Sequence, residues 1–194
     1  MTYVALDFET ANANKGGIAS IGMAKFNEDG EVVDTYYSLV CPSVKYFNPS
    51  MTRIHKLDSK ECLLAPSFDK IYNQVKQFMG DDIIVAHNVR FDYSVLKGTL
   101  EVYDLNYISN VFYCTLEISR RKWPNMKSHK LTYLSLEFNL NYRAHHALDD
   151  AINCGKILKL ACENKTFERQ EIINYFDYEL KVKSKKMVDD EYLF

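Results

Sequence analysis

The chain has 194 residues, of which 47% are hydrophobic and 26% charged, a composition that suits one globular domain with a sizeable core. A formal net charge of -2 excludes an overall basic footprint for nucleic acid, so any contact with phosphates would depend on local clusters of lysine and arginine. No run approaches the roughly 20 apolar residues of a membrane span, and no basic segment followed by an apolar one opens the sequence. These observations predict a cytoplasmic protein that does not enter a membrane.

The first third of the sequence alternates strand patterns with turns. Residues 3–9, 18–27 and 31–40 each carry a strand pattern, and Asp29 followed by Gly30 is a typical hairpin turn between the second and the third. Strands joined by short turns pair with their neighbours in antiparallel order. The N-terminal third is therefore predicted to form an antiparallel meander.

Helical and strand patterns alternate in the middle of the chain. Apolar residues recur at helical spacing between Ser67, a predicted N-cap, and Gly80, a predicted stop. A short apolar run at 82–87 predicts a buried strand that leads into a helix, and a second strand at 111–114 leads into a helix from Thr115. Strands followed by helices are typical of a mixed sheet with helices packed against it, an α/β fold.

The last third of the chain is predicted to be helical. A short helix is expected after Ser128, and the last core helix is predicted over 146–163. One more helix is predicted over 167–180, and the charged end from Lys181 onward is expected to fray.

Two acids interrupt an otherwise apolar first strand, which reads VALDFET over residues 4–10. Because side chains alternate across a strand, Asp7 and Glu9 lie on one face. Two carboxylates this close repel each other unless a cation lies between them. A solvated sheet edge or a partner for a helix cap would account for the same pair, so the rest of the chain must decide.

Further acids stand near predicted helix starts. In the last core helix, Asp150 borders the apolar stripe while Asp149 lies nearly opposite it, so Asp150 is expected to face inward, where a carboxylate needs a partner or a metal ion. Asp92 has a simpler explanation as a first-turn acid favoured by the helix dipole. His145 can reach the same side as Asp150 only from a loop that precedes the helix, because five residues within one helix would turn it about 140° away. His146 is interpreted as a helix-start residue.

The order of these residues resembles the DEDDh exonucleases, the DnaQ-like family that includes the epsilon proofreading subunit of bacterial DNA polymerase III. The chain has Asp-x-Glu, then Asp, then His-x-x-x-x-Asp in the family's order, and the resemblance covers roughly residues 3–163. The segments that follow the pattern are DFET at 7–10, RIHKL at 53–57, AHNVRFD at 86–92, HKLTYLSLEFNL at 129–140 and RAHHALDDA at 143–151.

This resemblance implies a ribonuclease-H-like fold, a mixed β-sheet flanked by helices, and a 3'-to-5' exonuclease that uses two divalent cations, Mg²⁺ or Mn²⁺. By the family's pattern, Asp7, Glu9 and Asp150 hold the first ion, and Asp7 together with Asp92, the latter through water, holds the second. His145 is implied as the general base that activates a water, so that each cycle releases a nucleoside 5'-monophosphate. Such oxygen-only ligands suit these ions and do not suit zinc. The implied exonuclease domain covers 1–164, and 165–194 would be a C-terminal helical extension with a charged tail.

The family pattern also implies contacts with the terminal nucleotide, by Thr10, Ile54, His55, Asn88 and Phe91. Apolar contacts with a base carry no sequence information, so the enzyme is expected to be largely indifferent to sequence.

The chain departs from the pattern next to His55. Relatives commonly have HGIT there, and this chain has Lys56 and Asp58 in place of the glycine and the threonine.

The leading hypothesis is an exonuclease acting on single-stranded or frayed DNA 3' ends, with a DNA polymerase subunit as a candidate partner. RNA trimming by the same site is the close alternative, because recognition of a 2'-hydroxyl cannot be identified in the sequence. A nucleic-acid or polymerase-tethering module without catalysis is a third reading, against which the presence of all four acids and the histidine argues. A mixed-sheet domain with incidental acids would require all five segment matches to be accidental.

Overall fold

A mixed five-stranded sheet forms the centre of the protein. The computed structural model describes residues 2–141 and 143–162. The strands are β1 (Tyr3–Thr10), β2 (Ile18–Phe26), β3 (Val32–Leu39), β4 (Ile83–Ala86) and β5 (Phe112–Cys114). Their order across the sheet is β3-β2-β1-β4-β5, with β1, β2 and β3 antiparallel and β1, β4 and β5 parallel. The predicted meander and mixed sheet are confirmed, with small differences at the strand ends.

Seven helices are described, and five of them match predicted segments. The helices are α1 (Pro49–His55), α2 (Ser59–Leu64), α3 (Phe68–Met79), α4 (Val89–Val102), α5 (Thr115–Lys122), α6 (Leu131–Glu137) and α7 (Ala147–Cys162). The predicted segment 167–180 lies outside the described residues. No helix in the described part of the chain is long and apolar enough to cross a membrane.

The sequence reading missed helices α1 and α2, which have only seven and six residues. Asn48 caps α1 by accepting a hydrogen bond from the Ser50 amide, and Pro49 occupies the first turn. Lys56 ends α1 in the left-handed region, with φ 57°, and the Asp58 side chain caps α2 by accepting from the Lys60 amide. The two departures from the family pattern are therefore accommodated in a turn between two short helices, with a lysine in a conformation that favours glycine.

The sheet has a core on each face. On one face, β1 contributes Val4, Leu6 and Phe8, which pack with residues of α3 and α4 such as Phe68 and Leu96. On the other face, residues of β1, β2, β4 and β5 pack with residues of α7 in a second buried group. This second group consists of Tyr3, Ala5, Ala24, Phe26, Val85, Tyr113, Ala151, Cys154 and Leu158. Asp7 and Glu9 continue the strand positions of Tyr3 and Ala5, so they lie on the α7 side.

Two glycines allow α7 to lie unusually close to β2. A Cβ on Gly22 would lie 2.2 Å from the Ala147 carbonyl carbon, and a Cβ on Gly155 would lie 2.2 Å from Cε2 of Phe26. The Tyr3 hydroxyl donates a hydrogen bond of 3.0 Å to the Gly155 carbonyl, and its ring stacks on Phe26 with centroids 4.8 Å apart. Helix α7 is thus in close contact with the sheet at its start and at its middle.

A half-buried histidine connects the end of β4 to the loop before α6. His87 Nε2 lies 2.9 Å from the His129 carbonyl, which can only accept, so the proton is on Nε2. The other ring nitrogen, Nδ1, then accepts from the Thr115 hydroxyl at 2.9 Å. Burial lowers the pKa of His87 to about 4; the hydrogen bond to the His129 carbonyl opposes this shift, and the positive charge of Arg120 adds to it. His87 is therefore neutral at pH 7.

Substituting Gly155 by alanine should destabilise the fold. The new methyl group would overlap the Phe26 ring in a packed core, and overpacking of this kind costs about 1–3 kcal/mol. The comparison is Gly98→Ala in α4, where the added Cβ would meet the flexible Lys15 side chain at 3.1 Å. Gly98→Ala should be neutral or stabilising by up to about 1 kcal/mol, the helix-propensity gain that both substitutions share. Urea unfolding of the two variants measures the difference, and equal stability would contradict the packing.

His87→Gln should reduce the acid sensitivity of the fold. In the unfolded chain His87 takes up a proton near its ordinary pKa of 6.5, whereas in the folded protein it stays neutral to about 4. The unfolded state binds more protons between these values, so the stability contributed by neutral His87 is lost as the pH falls from 6.5 towards 4. Glutamine can donate and accept in place of the ring without titrating.

The measurement is the free energy of unfolding from pH 7 to pH 4.5 in chelator. Titration of the carboxylates is common to both proteins and cancels in the comparison. The wild type should lose more stability than His87→Gln over this range, and parallel pH profiles would contradict the assignment of a neutral imidazole.

Candidate active site

Strand β1 carries two of the predicted acids at its carboxyl end. Asp7 pairs across the sheet with Gly22, and Glu9 pairs with Ser20. Because β1 is a central strand, these carboxylates lie over the middle of the sheet and are only partly exposed. The residue between them, Phe8, points to the opposite face and is buried in the core.

The first turn of α7 adds a third carboxylate. Asp150 is 6% exposed, as predicted from the apolar stripe, whereas Asp149 is half-buried and forms an ion pair with Arg143. The contact of α7 with Gly22 brings Asp150 over Asp7, the cross-strand neighbour of that glycine. One carboxylate oxygen from each of Asp7, Glu9 and Asp150 lies within 4.8 Å of the others.

The fourth predicted acid, Asp92, lies behind this group. It is 1% exposed in the first turn of α4, and its Oδ1 accepts a hydrogen bond of 3.3 Å from the backbone amide of Phe8. The amide that Asp92 binds belongs to the residue between Asp7 and Glu9. The bond fixes α4 to β1 at the position of the acids.

Repulsion among the acids changes their protonation. Burial raises the pKa of Asp7 well above its usual range, and the charges of Asp92, Asp150 and Glu9 raise it further. Burial and the charge of Asp150 raise the pKa of Glu9 to about 7. Burial also raises the pKa of Asp92, although the Phe8 amide opposes this shift. Carboxyl groups with raised pKa values favour a bound positive charge, and a divalent cation could take the place of their protons. Because all the candidate ligand atoms are oxygens, the group suits a hard cation.

His145 lies outside the carboxylate group, in the loop just before α7. It is exposed and has φ 62° in the left-handed region. The loop position agrees with the argument that His145 can approach Asp150 only from outside the helix. His145 is near His55, whose pKa is lowered by burial first and by His145 as well.

A pocket of about 200 Å³ opens beside Thr10. Two of the predicted nucleotide contacts, Thr10 and Phe91, line it, and Phe91 is 44% exposed. The other lining residues were not identified in the sequence: Asn12, Ala13, Asn14, Lys15, Met51, Ser94 and Val95. The asparagine-rich loop after β1 follows the DFET segment directly, which is the signal that could have identified part of this wall.

The remaining predicted contacts lie around this region in different environments. Ile54 is 51% exposed and does not line the pocket, and Asn88 is exposed with φ 71° at the start of α4. His55 is buried, and its Nδ1 accepts a hydrogen bond of 3.0 Å from the Leu57 amide. The proton is therefore on Nε2, and hydrogen bonding with the Thr10 backbone opposes the effect of burial on the pKa of His55.

Comparison with known sequences supports a nuclease relationship. The DNA polymerase III PolC-type of Latilactobacillus sakei is 29% identical over 175 residues, which span 89% of this chain and 12% of that protein. The 3'-5' exonuclease DinG of Staphylococcus aureus is 28% identical over 165 residues, 84% of this chain and 18% of that protein. The chain therefore spans less than a fifth of the length of these relatives.

Comparison with solved structures shows the same fold. Exonuclease X in complex with 5' overhanging duplex DNA superposes with a TM-score of 0.68 at 23% identity, over 83% of this chain and 91% of that one. The nuclease domain of 3'hExo, a DEDDh family member bound to rAMP, superposes with a TM-score of 0.72 at 16% identity, over 84% of this chain and 92% of that one.

A sequence model of the RNase_T family, described as Exonuclease, matches residues 4–158. This range runs from β1 into α7 and includes all four acids and His145. The predicted relationship and the ribonuclease-H-like α/β fold are confirmed, and the chain belongs to the RNase_T exonuclease family.

Proposed function

We propose that the protein is a metal-dependent 3'-to-5' exonuclease that releases nucleoside 5'-monophosphates from single-stranded or frayed DNA ends. The observation that carries this proposal is the group formed by Asp7, Glu9 and Asp150, whose oxygens lie within 4.8 Å of one another next to an open pocket. These three acids face one another across a helix and a strand, a grouping that suits a shared cation.

The acids would hold divalent cations, Mg²⁺ or Mn²⁺. Asp7, Glu9 and Asp150 would bind one ion, and Asp7 with Asp92 would take part in binding a second. When bound, such ions supply positive charge that stabilises the attacking and departing oxygens of an in-line displacement. The hydrogen bond from the Phe8 amide would keep Asp92 oriented towards the site.

His145 would act as the general base. Its exposed position in the loop before α7 leaves its ring accessible to a water at the scissile phosphate. His145 would take the proton of that water as the new oxygen-phosphorus bond forms, and the bond from phosphorus to the 3'-oxygen of the preceding nucleotide breaks. The departing 3'-oxygen then gains a proton from solvent, and the terminal nucleotide leaves with a 5'-phosphate.

The pocket next to Thr10 would receive the terminal nucleotide. Phe91 and Met51 offer apolar surface to a base, which suits any base and supports cleavage without sequence preference. His55, buried beside Thr10, would contact the bound nucleotide through its ring. Ile54, exposed one residue before His55, and Asn88 would complete the contacts at the rim.

The choice of DNA rests on the similarity to a DNA polymerase III and to a 3'-5' exonuclease. The similarity to a polymerase also makes a DNA polymerase subunit the partner that we would test first. RNA trimming is the second candidate, because the fold is shared with a nuclease domain whose structure holds rAMP.

A time course on 5'-labelled single-stranded DNA and RNA of matched sequence tests the proposal. With Mg²⁺ or Mn²⁺ the DNA should shorten from its 3' end in single-nucleotide steps, and chelator should stop the reaction. Faster shortening of RNA would favour the second candidate. A folded protein that binds both strands and shortens neither would support the tethering module instead.

The matched variants are Asp7→Asn and Asp34→Asn. Asp7→Asn should abolish cleavage and, in chelator, should raise the melting temperature, because it removes one charge from a mutually repelling group. Asp34 is an exposed acid on β3, and Asp34→Asn should change neither property. Wild-type cleavage by Asp7→Asn would contradict the assignment of the site.

Replacing His145 by alanine should lower kcat by about 100-fold to 10,000-fold, the contribution typical of a positioned general base. Because His145 is not a proposed metal ligand, the affinity for Mn²⁺ measured by calorimetry should stay at the wild-type value. His129→Ala is a histidine control in a loop outside the carboxylate group. A kcat for His145→Ala equal to that of this control would remove His145 from the mechanism.

A further inference from the structure

The loop that presents His145 is anchored on both sides. After it, the His146 ring stacks on Tyr37 of β3, with centroids 4.8 Å apart and planes 19° from parallel. Before it, the Asn141 carbonyl accepts a hydrogen bond of 3.1 Å from the Asn153 side chain of α7. His145 thus lies between two fixed points of the chain. Its φ of 62° is an unfavourable backbone conformation for a residue other than glycine, and the surrounding contacts must maintain it.

Helix α7 supports both anchors. Asp149 Oδ2 lies 3.2 Å from Nδ1 of His146, and the same oxygen accepts a hydrogen bond of 2.9 Å from Nε of Arg143. The Asn153 side chain also donates to the Asp149 carbonyl at 2.9 Å. Both flanks of His145 therefore meet at one turn of α7, the turn that carries the buried Asp150.

The strand pairing of the sheet places Tyr37 beside the start of α7, where its ring can stack on His146. Tyr37 pairs with Gly22 across β2 and β3, and Gly22 pairs with Asp7 across β1 and β2. The start of α7 rests on Gly22, in the middle of this row. The helix start consequently has the Tyr37 ring on one side and the carboxylate group on the other.

We propose that Tyr37 and His146 are positioning residues for His145. The role rests on the proposed function, in which His145 is the general base. Tyr37 is 37% exposed and the His146 side chain 22%, so their stack excludes little water and contributes modestly to stability. Its effect is local: the stack fixes the residue next to His145, and thereby fixes how far the His145 ring reaches towards a water at the phosphate.

Steady-state kinetics on labelled single-stranded DNA test this role in the full chain. Tyr37→Ala should lower kcat by about 10-fold to 100-fold, the scale of a displaced catalytic group, with KM, Mn²⁺ affinity and melting temperature close to wild type. Tyr37→Phe keeps the ring and should keep kcat. The pair His146→Ala and His146→Phe should behave in the same way, and it decides the question if Tyr37→Ala does not fold.

A double-mutant cycle separates positioning from a general effect on the site. If Tyr37 acts through His145, then Tyr37→Ala should have no further effect on the residual rate of His145→Ala. Additive losses, a loss of Mn²⁺ affinity that accompanies the loss of kcat, or an unchanged kcat in both alanine variants would each overturn the role.

The wild type separates this inference from the proposed function. A folded wild type without nuclease activity would overturn both. An active wild type that loses activity on His145→Ala and keeps it on Tyr37→Ala and His146→Ala would overturn the positioning role alone.

Discussion

The contact between α7 and the sheet at Gly22 is the constraint on which the site depends. Any side chain at position 22 would overlap the backbone of Ala147 and Leu148, so the helix can rest on the strand only because glycine is there. Asp7 is the cross-strand neighbour of Gly22, and Asp150 lies one helical turn after Ala147. The distance between helix and strand therefore sets the distance between the carboxylates, and through it the size of the space for an ion.

This arrangement opposes folding in the absence of a cation. Two carboxylate charges less than 5 Å apart repel by on the order of 3 kcal/mol at an effective dielectric constant near 20. Burial first, and this repulsion second, raise the pKa values of Asp7 and Glu9. The opposing contributions come from the apolar contacts of α7 with Phe26 and Ala24, farther along the same face. One end of the helix thus stabilises the fold while the other end holds the charges, a division that suits a protein whose ligand completes its site.

The sequence predicted those parts of the fold and of the site in which apolar and polar residues alternate with the period of a strand or a helix. Alternation along β1 placed Asp7 and Glu9 together, and helical spacing placed Asp150 inward and His145 outside the helix, as the structure has them. It missed α1 and α2 because six or seven residues give too few turns for an apolar stripe to be recognised. It also missed most of the pocket and the stack of Tyr37 on His146, because these depend on residues brought together from distant parts of the chain. The pairing of β2 with β3 decides what Tyr37 faces, and no local pattern contains that information.

In the turn after His55, the family motif corresponds to a required backbone conformation, which residues other than those of the motif can also adopt. A glycine at position 56 would meet the left-handed conformation without cost, whereas Lys56 adopts it at a penalty of roughly 1 kcal/mol. Asp58 restores a cap for the following helix, as a threonine could, by accepting from the Lys60 amide. The path of the chain is thereby kept, and His55 stays buried with its Nδ1 held by the Leu57 amide. What differs is the surface that the turn presents, since an exposed lysine now follows His55 in place of a residue without a side chain.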